Sequence, residues 1–322
     1  MADPVLVIGE ALIDIIQREE QPPEEHVGGS PANVALGLGR LGVPVRLRTA
    51  LGSDDRGERI AAHLGESGVE VEPESFVLDR TATATARITA EGNAHYEFDI
   101  DWRIGSPVAL RDARVVHVGS IGCFIEPGAS VVRETIRSFA GQALVTFDPN
   151  IRPALVGERT AAVQVTEEIA SRCDLIKLSD EDAAWLYAGL DVEAVLGRLL
   201  SLGARVVALT RGSEGSVLAS RTSRATVESR RVIAQDTVGA GDTFMAALVG
   251  SLAEGRLGTD EDSLREAGEN AALAASITVS RRGADLPTRA DLAATLDRSS
   301  GGGRSGIRTD EAHGPRRQTR PV

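Results

Sequence analysis

Short apolar runs at positions 5–8, 46–49, 115–118, 144–147, 175–178 and 206–210 alternate with segments of helical period. This alternation constrains the fold more than any other feature. The intervening segments 31–41, 58–65, 130–140, 160–171, 181–187 and 192–202 are long enough to be crossover helices. Buried strands joined by crossover helices imply an α/β fold whose mostly parallel sheet carries helices on both faces. Ligands of such folds bind beyond the carboxyl ends of the strands.

Two stretches break the alternation. Positions 13–17 are short and strand-like, and 81–102 alternate Thr and Ala before Tyr96, Phe98, Ile100 and Trp102. A small β-sheet beside the main domain accounts for both, either as an edge extension or as a lid. We read segments 12–26 and 80–104 as a lid and residues 1–298 as one domain. From Ser299 the chain turns Gly-, Ser- and Arg-rich without apolar pattern, so 299–322 is expected to be a disordered tail.

Composition closes several functional classes. The formal net charge is −12 over 322 residues, which argues against a nucleic-acid or anionic-membrane partner. Lys177 is the only lysine, so no Gly-rich stretch is followed by the Lys of a Walker A loop. Its isolation otherwise reads as a bias toward arginine. Cys123 and Cys173 stand far apart, no basic leader precedes the first strand, and no window nears the roughly 20 apolar residues of a spanning helix. A cytoplasmic location is expected. The five His residues are scattered without ligand spacing, and His117 reads as a core strand residue. Gly37-Leu-Gly39-Arg-Leu-Gly42 has the spacing of a dinucleotide fingerprint, the mark of an NAD-dependent oxidoreductase. It lies within and at the end of a helix instead of between strand and helix, so that reading fails.

The chemistry concentrates in Gln235-Asp-Thr-Val-Gly-Ala-Gly-Asp242. Beyond Gly241, Phe244, Ala247, Leu248 and Leu252 recur at helical spacing, which places Gly239-Ala240-Gly241 at a helix N-terminus. Unpaired N–H groups there, backed by the helix dipole, suit a phosphate. Asp242, in the first turn, can accept a proton from an attacking hydroxyl or can simply start the helix. A second segment, Gly28-Gly-Ser-Pro-Ala-Asn33, has Ser30 as N-cap and Pro31 at the first helical position. Gly28 and Gly29 allow close approach to the backbone, and the Asn33 amide can both donate to and accept from a hydroxyl. A non-catalytic sugar-binding protein would share this cradle but would not need Asp242.

Together the two segments resemble the PfkB (ribokinase-like) family of carbohydrate kinases over roughly residues 4–290. The resemblance implies a Rossmann-like core, a small β lid, and transfer of the ATP γ-phosphoryl group to a sugar hydroxyl with Mg²⁺ and K⁺ as cofactors. It places the catalytic base on Asp242 and the anion hole on the main chain of Gly239, Ala240 and Gly241. Sugar positions fall on Asp14, Gly28, Gly29 and Asn33. Nucleotide positions fall on Thr210, Arg211, Gly212 and Gly215, with Asn270 near the adenine. The monovalent-cation site falls on Asp236, Val238, Arg281 and Gly283. The family's Asn-x-x-Glu element, which acts indirectly on Mg²⁺, maps to Ser179-Asp-Glu-Asp182, leaving either Asp182 or Glu181 in its role. The opening Ile8-Gly-Glu-Ala-Leu-Ile-Asp14 and Asp148-Pro-Asn-Ile-Arg152 are similar to fructokinases. They point to fructose, with Arg152 reaching substrate or phosphate oxygens or else a surface arginine after a turn. 2-Keto-3-deoxygluconate and ribose are the alternatives. Tyr96, Phe98 and Trp102 would cover the sugar or pack within the lid, and a homodimer through the lid is compatible with the resemblance.

Overall fold

The computed structural model describes residues 4–18, 21–89, 94–106, 108–109, 112–139 and 141–301. Its strands are β1 (Val5–Ile8), β2 (Leu12–Arg18), β3 (Glu24–Gly28), β4 (Val45–Arg48), β5 (Leu51–Gly52), β6 (Val69–Val71), β7 (Phe76–Leu78), β8 (Thr83–Ile88), β9 (Ala94–Asp99), β10 (Val115–Gly119), β11 (Leu144–Asp148), β12 (Leu175–Ser179), β13 (Val206–Thr210), β14 (Ser216–Ala219) and β15 (Arg224–Val227). The helices are α1 (Ser30–Arg40), α2 (Asp55–Gly65), α3 (Gly128–Ser138), α4 (Pro153–Val156), α5 (Arg159–Ala170), α6 (Asp180–Leu186), α7 (Val192–Leu202), α8 (Ala240–Ala253), α9 (Glu261–Val279) and α10 (Arg289–Gly301).

The main sheet has nine strands in the order β15-β14-β13-β12-β11-β10-β1-β4-β6. From β6 to β13 all neighbours are parallel, and β14 and β15 add an antiparallel hairpin at one edge. Val5–Ile8 and Val115–Gly119 are buried at every position, as strands covered on both faces must be. One core cluster gathers Leu6, Ile8, Val116, Val118, Phe147, Ile176 and Leu178 with α3, α5 and α7. The other gathers Val5, Val7, Val115, Leu175 and Ala208 with α1, α8 and α9. The odd and even residues of each strand thus serve opposite layers. Helix α8 lies against α1 and α9 and is buried from Asp242 to Ser251, which is why its sequence is apolar nearly all round.

After β1 the strand order runs outward through β4 and β6, then restarts on the other side with β10. The switch point therefore lies between β1 and β10, where an open α/β sheet forms its ligand crevice. Strands β2, β3, β8 and β9 form a separate four-stranded sheet in the order β3-β2-β8-β9, so they are not an edge extension of the main one.

Three expectations are corrected. Trp102 does not belong to the small sheet: the chain leaves β9 after Asp99 and buries Trp102 in the main core, where its Nε1 donates to the Gly122 carbonyl at 2.8 Å. Ser30 is not the N-cap of α1. Gly29 takes that place with φ 101°, and a Cβ there would come within 2.6 Å of the Glu10 carbonyl oxygen. Helix α10 continues to Gly301, past the expected start of the tail. Positions 19–20 and 90–93 of the expected lid, Ala140 of the third helix, and 302–322 of the expected tail lie outside the described residues.

Candidate active site

Helix α8 begins on a left-handed Gly239 with φ 77°, where a Cβ would lie 2.9 Å from that of Ala284. Its first internal bond runs from the Thr243 N–H to the Gly239 carbonyl, and the Ala240 N–H makes a longer bond to Thr237 O at 3.3 Å. That leaves the N–H groups of Gly241 and Asp242 without an acceptor among the described residues. They point outward at the positive end of the α8 dipole.

Asp242 is buried, and the start of α1 meets it. Ser30 Oγ donates to Asp242 Oδ1 at 2.7 Å, and Asn33 Nδ2 donates to Asp242 Oδ2 at 2.8 Å. Each carboxylate oxygen keeps a second lone pair free, so the group is oriented without being used up. On the other side stands Asp14 of β2. Gly28 makes room for it, since a Cβ at that position would overlap Asp14 Oδ2 at 2.0 Å. The Asp14 carboxyl reaches solvent, yet the protein around it strips enough water to push its pKa up to about 6. His26 and Arg152 oppose that rise, and Asp242 adds to it. Arg152 is exposed, and its guanidinium donates to Asn150 Oδ1 at 2.7 Å. Its charge is near enough to both Asp14 and Glu10 to favour their ionised forms.

Asp182 takes the inward position of its pair, and Glu181 is exposed. The Asp182 carboxylate accepts from Ser179 N at 2.9 Å and Ser179 Oγ at 2.7 Å in a capping box, and from Ile151 N at 2.7 Å. It thereby ties the start of α6 to the turn that presents Arg152.

A cleft of about 850 Å³ opens beside the start of α8, lined by Thr210, Gly212, Gly215, Ala240, Gly241 and Phe244 and by Ala272, Ala275 and Val279 of α9. Two expected nucleotide residues do not line it. Arg211 folds back, donating to the Glu214 carbonyl at 3.1 Å. Asn270 lies about half a turn around α9 from the cleft-lining residues, since 270 and 272 differ by roughly 200° at helical pitch.

At the far end of the cradle Asp236 joins two segments. Its Oδ1 accepts from Val238 N at 3.1 Å and its Oδ2 from Gly283 N at 2.9 Å, and these bonds hold its pKa below the usual carboxylate range. Arg281 turns its side chain to Asp291 at 3.0 Å and Asp285 at 3.4 Å, so only its carbonyl is available to this loop. No cluster of three or more His, Cys, Asp or Glu able to hold a metal occurs among the described residues. Any cation at this loop must take carbonyl oxygens together with the remaining Asp236 lone pairs.

Three buried groups escaped the sequence reading. Glu10 stands at the switch point, its Oε2 accepting from Gly122 N at 2.9 Å. Burial pushes its pKa up to about 7, against the Ser120 hydroxyl and Arg152. Asp148, at the end of β11, is fully buried and raised to about 6 by that burial. Lys177 Nζ donates to Asp148 Oδ2 at 2.9 Å, so the lone lysine is part of the interior and not a compositional remnant. Burial pulls the Lys177 ammonium down, but Asp148, Asp182 and Asp242 outweigh it and hold the pKa above its ordinary value.

A helix N-terminus with free N–H groups, an oriented carboxylate on its rim and a large cleft beside it suit phosphoryl transfer. Comparison with known proteins gives the same class. The family model described as pfkB family carbohydrate kinase matches residues 2–291. The fructokinase of Rhizobium leguminosarum bv. trifolii is 31% identical over 279 residues, covering 81% of this chain and 85% of its own. Fructokinase-1 of Oryza sativa subsp. japonica is 31% identical over 313 residues, covering 89% and 96%. The crystal structure of a fructokinase with bound ATP from Xylella fastidiosa superposes with a TM-score of 0.79 at 26% identity, covering 93% of this chain and all of that one. The chain belongs to the pfkB family of carbohydrate kinases, and it is a sugar kinase. No helix among the described residues is long and apolar enough to cross a membrane.

Proposed function

We propose that this kinase phosphorylates fructose, with Asp242 as the general base and the Gly239–Gly241 turn as the anion hole. Likeness to fructokinases at 31% identity supports fructose, and the role of Asp242 is carried by the pair of hydrogen bonds from Ser30 and Asn33 to its two oxygens. These bonds bring the sugar segment and the phosphate turn to one carboxylate. Asp14, Gly28, Gly29, Asn33 and Arg152 surround the sugar, and Thr210, Gly212 and Gly215 border the nucleotide. Bound MgATP supplies the phosphoryl group. Asp242 takes the proton of the attacking hydroxyl, and the N–H groups of Gly241 and Asp242 face the anion. Asp236, Val238, Gly283 and the Arg281 carbonyl frame a K⁺ loop, and Asp182 acts on Mg²⁺ indirectly by fixing the neighbouring turn.

The small sheet closes over the sugar to exclude water. Tyr96 and Phe98 are exposed on it and stack at 6.2 Å, a surface suited to a second copy of the chain. A cytoplasmic location fits this chemistry. A sugar acid such as 2-keto-3-deoxygluconate is the second reading, favoured by the exposed Arg152 fork, which matches a carboxylate. The test is ADP release from MgATP with K⁺, across fructose, ribose, 2-keto-3-deoxygluconate, adenosine and a blank. Fructose should give the highest kcat/KM; a clear preference for any other sugar overturns the assignment.

A further inference from the structure

Lys177 is 3% exposed, and every other cationic side chain in the sequence except histidine is arginine. A buried ammonium is costly unless it is paired, and Asp148 pairs it at 2.9 Å. Asp148 ends β11 and Lys177 is the middle residue of its parallel neighbour β12, one step beyond the Phe147–Ile176 match, on the face that α8 covers. The remaining groups of this polar strip are neutral. His117 Nδ1 meets Thr146 Oγ1 at 3.0 Å, and burial keeps the imidazole uncharged. Asp148 Oδ1 is buried without a partner among the described residues, so the pair leaves one acceptor unused.

Gly241 supplies the second observation. A Cβ built there would lie 3.1 Å from Lys177 Nζ, which puts the ammonium directly behind the phosphate turn. Unlike Gly239, Gly241 has no left-handed backbone that would call for glycine. The bare Gly241 backbone instead lets Lys177 come close, since a Cβ there would press on its ammonium. An arginine at 177 would bring a larger planar head into the same space, whereas the ammonium is compact. The surrounding carboxylates Asp148, Asp182 and Asp242 would otherwise leave this end of the sheet negative where an anion must dock.

We propose that Lys177 is a positioning residue for phosphoryl transfer: held by Asp148, its charge lies behind Gly241 and stabilises the anion that gathers at the Gly239–Gly241 turn as the phosphoryl group moves. This rests on the reading of that turn as the transfer site. The role requires the charge itself, and only the thin glycine backbone separates it from the cradle.

Two variants test it, with Asp242→Asn alongside. Lys177→Gln keeps a donor to Asp148 and loses the charge; the paired Asp148→Asn/Lys177→Met variant removes both charges at similar volume. Each is assayed for sugar-dependent ADP release, and for calorimetric binding of MgADP with and without aluminium fluoride and fructose. We expect kcat to fall about 10²-fold, the scale of losing one anion-hole donor, with the sugar KM little changed. MgADP binding should hold, while binding of the aluminium fluoride complex, which mimics the transferring group, weakens by a similar factor. Near wild-type turnover in either variant overturns the proposal, as does equal weakening of MgADP with and without fluoride. Failure of both variants to fold would assign the charge to the folded state and overturn it too. Asp242→Asn at the wild-type rate would instead sink the transfer-site reading.

Discussion

Replacing Asp242 with Asn separates the chemistry of the site from its architecture. The carboxylate accepts one bond from Ser30 and one from Asn33, at 2.7 and 2.8 Å. An Asn in the same rotamer can keep one acceptor. Its amide NH₂ can donate to the Ser30 hydroxyl, which rotates, so the carbonyl is retained toward Asn33 Nδ2. At worst one hydrogen bond is lost, a cost of about 1 kcal/mol. Against that, the substitution removes a negative charge that repels Asp14 and Asp148, a gain to the folded state that the lost attraction to Lys177 reduces. The two effects oppose each other, and Tm should shift by no more than about 4 °C. Turnover is different, because an amide cannot take the hydroxyl proton. Losing a positioned base costs about 10²–10⁴-fold in kcat. The measurement is steady-state ADP release with fructose and MgATP, paired with a thermal melt. A folded variant with kcat within tenfold of the wild type would refute the assignment of Asp242 as base.

Three further outcomes are expected. Gly239→Ala forces a left-handed φ of 77° on a Cβ that meets Ala284 at 2.9 Å, so it should lose roughly 1–3 kcal/mol of stability in chemical denaturation and weaken MgADP binding by calorimetry. Glu10 titrates near 7 in the folded state against 4.5 for the free side chain, so between those values the native protein holds more protons than the unfolded chain. Stability should therefore fall as pH rises from about 4.5 to 7, by on the order of 3 kcal/mol at most from this group, and Glu10→Gln should flatten that stretch of a Tm–pH profile. If the loop holds K⁺ as proposed, wild-type turnover should rise with K⁺ over Na⁺, and Asp236→Ala, which unties Val238 from Gly283, should abolish that difference with the fold retained by circular dichroism.

The βα alternation was readable because parallel strands buried on both faces leave short apolar runs, and those at 115–118 and 206–210 reappear as β10 and β13. The N-terminus of α8 was readable because its signal is local: glycines, then apolar residues at helical spacing. Side-chain direction was harder to read. Arg211 lies in the expected nucleotide segment, but a bond to the Glu214 carbonyl turns it away. Asn270 has the right helix and the wrong phase. Trp102 continues the alternating pattern of the small sheet, yet the strand ends at Asp99 and the indole finds the Gly122 carbonyl instead. Ser30, read as a cap, gives its hydroxyl to Asp242, which lies 212 positions away along the chain. Such a partner is invisible to any local rule.

The electrostatic design of the site lay furthest from view, and it follows from topology. On the proposed reading a chain with net charge −12 receives an anionic nucleotide near Asp14, Asp148, Asp182 and Asp242. Periodicity marks position 148 only as a strand end and position 177 only as an interior strand residue. They become an ion pair because β11 and β12 are parallel neighbours in register, which brings residues 29 positions apart to 2.9 Å. The order of β10 and β1 likewise brings Glu10 to Gly122 across the switch point. On the proposed reading two cations serve different ends of the site: Arg152 the sugar, from a turn anchored by Asp182, and Lys177 the phosphate, from inside the sheet behind Gly241. The N–H groups at the start of α8 add partial positive charge without any side chain that could be displaced. A binding module for a neutral sugar would need neither these N–H groups nor a charge behind them, so loss of turnover without loss of sugar binding in Lys177→Gln is the outcome that tells phosphoryl transfer from binding alone.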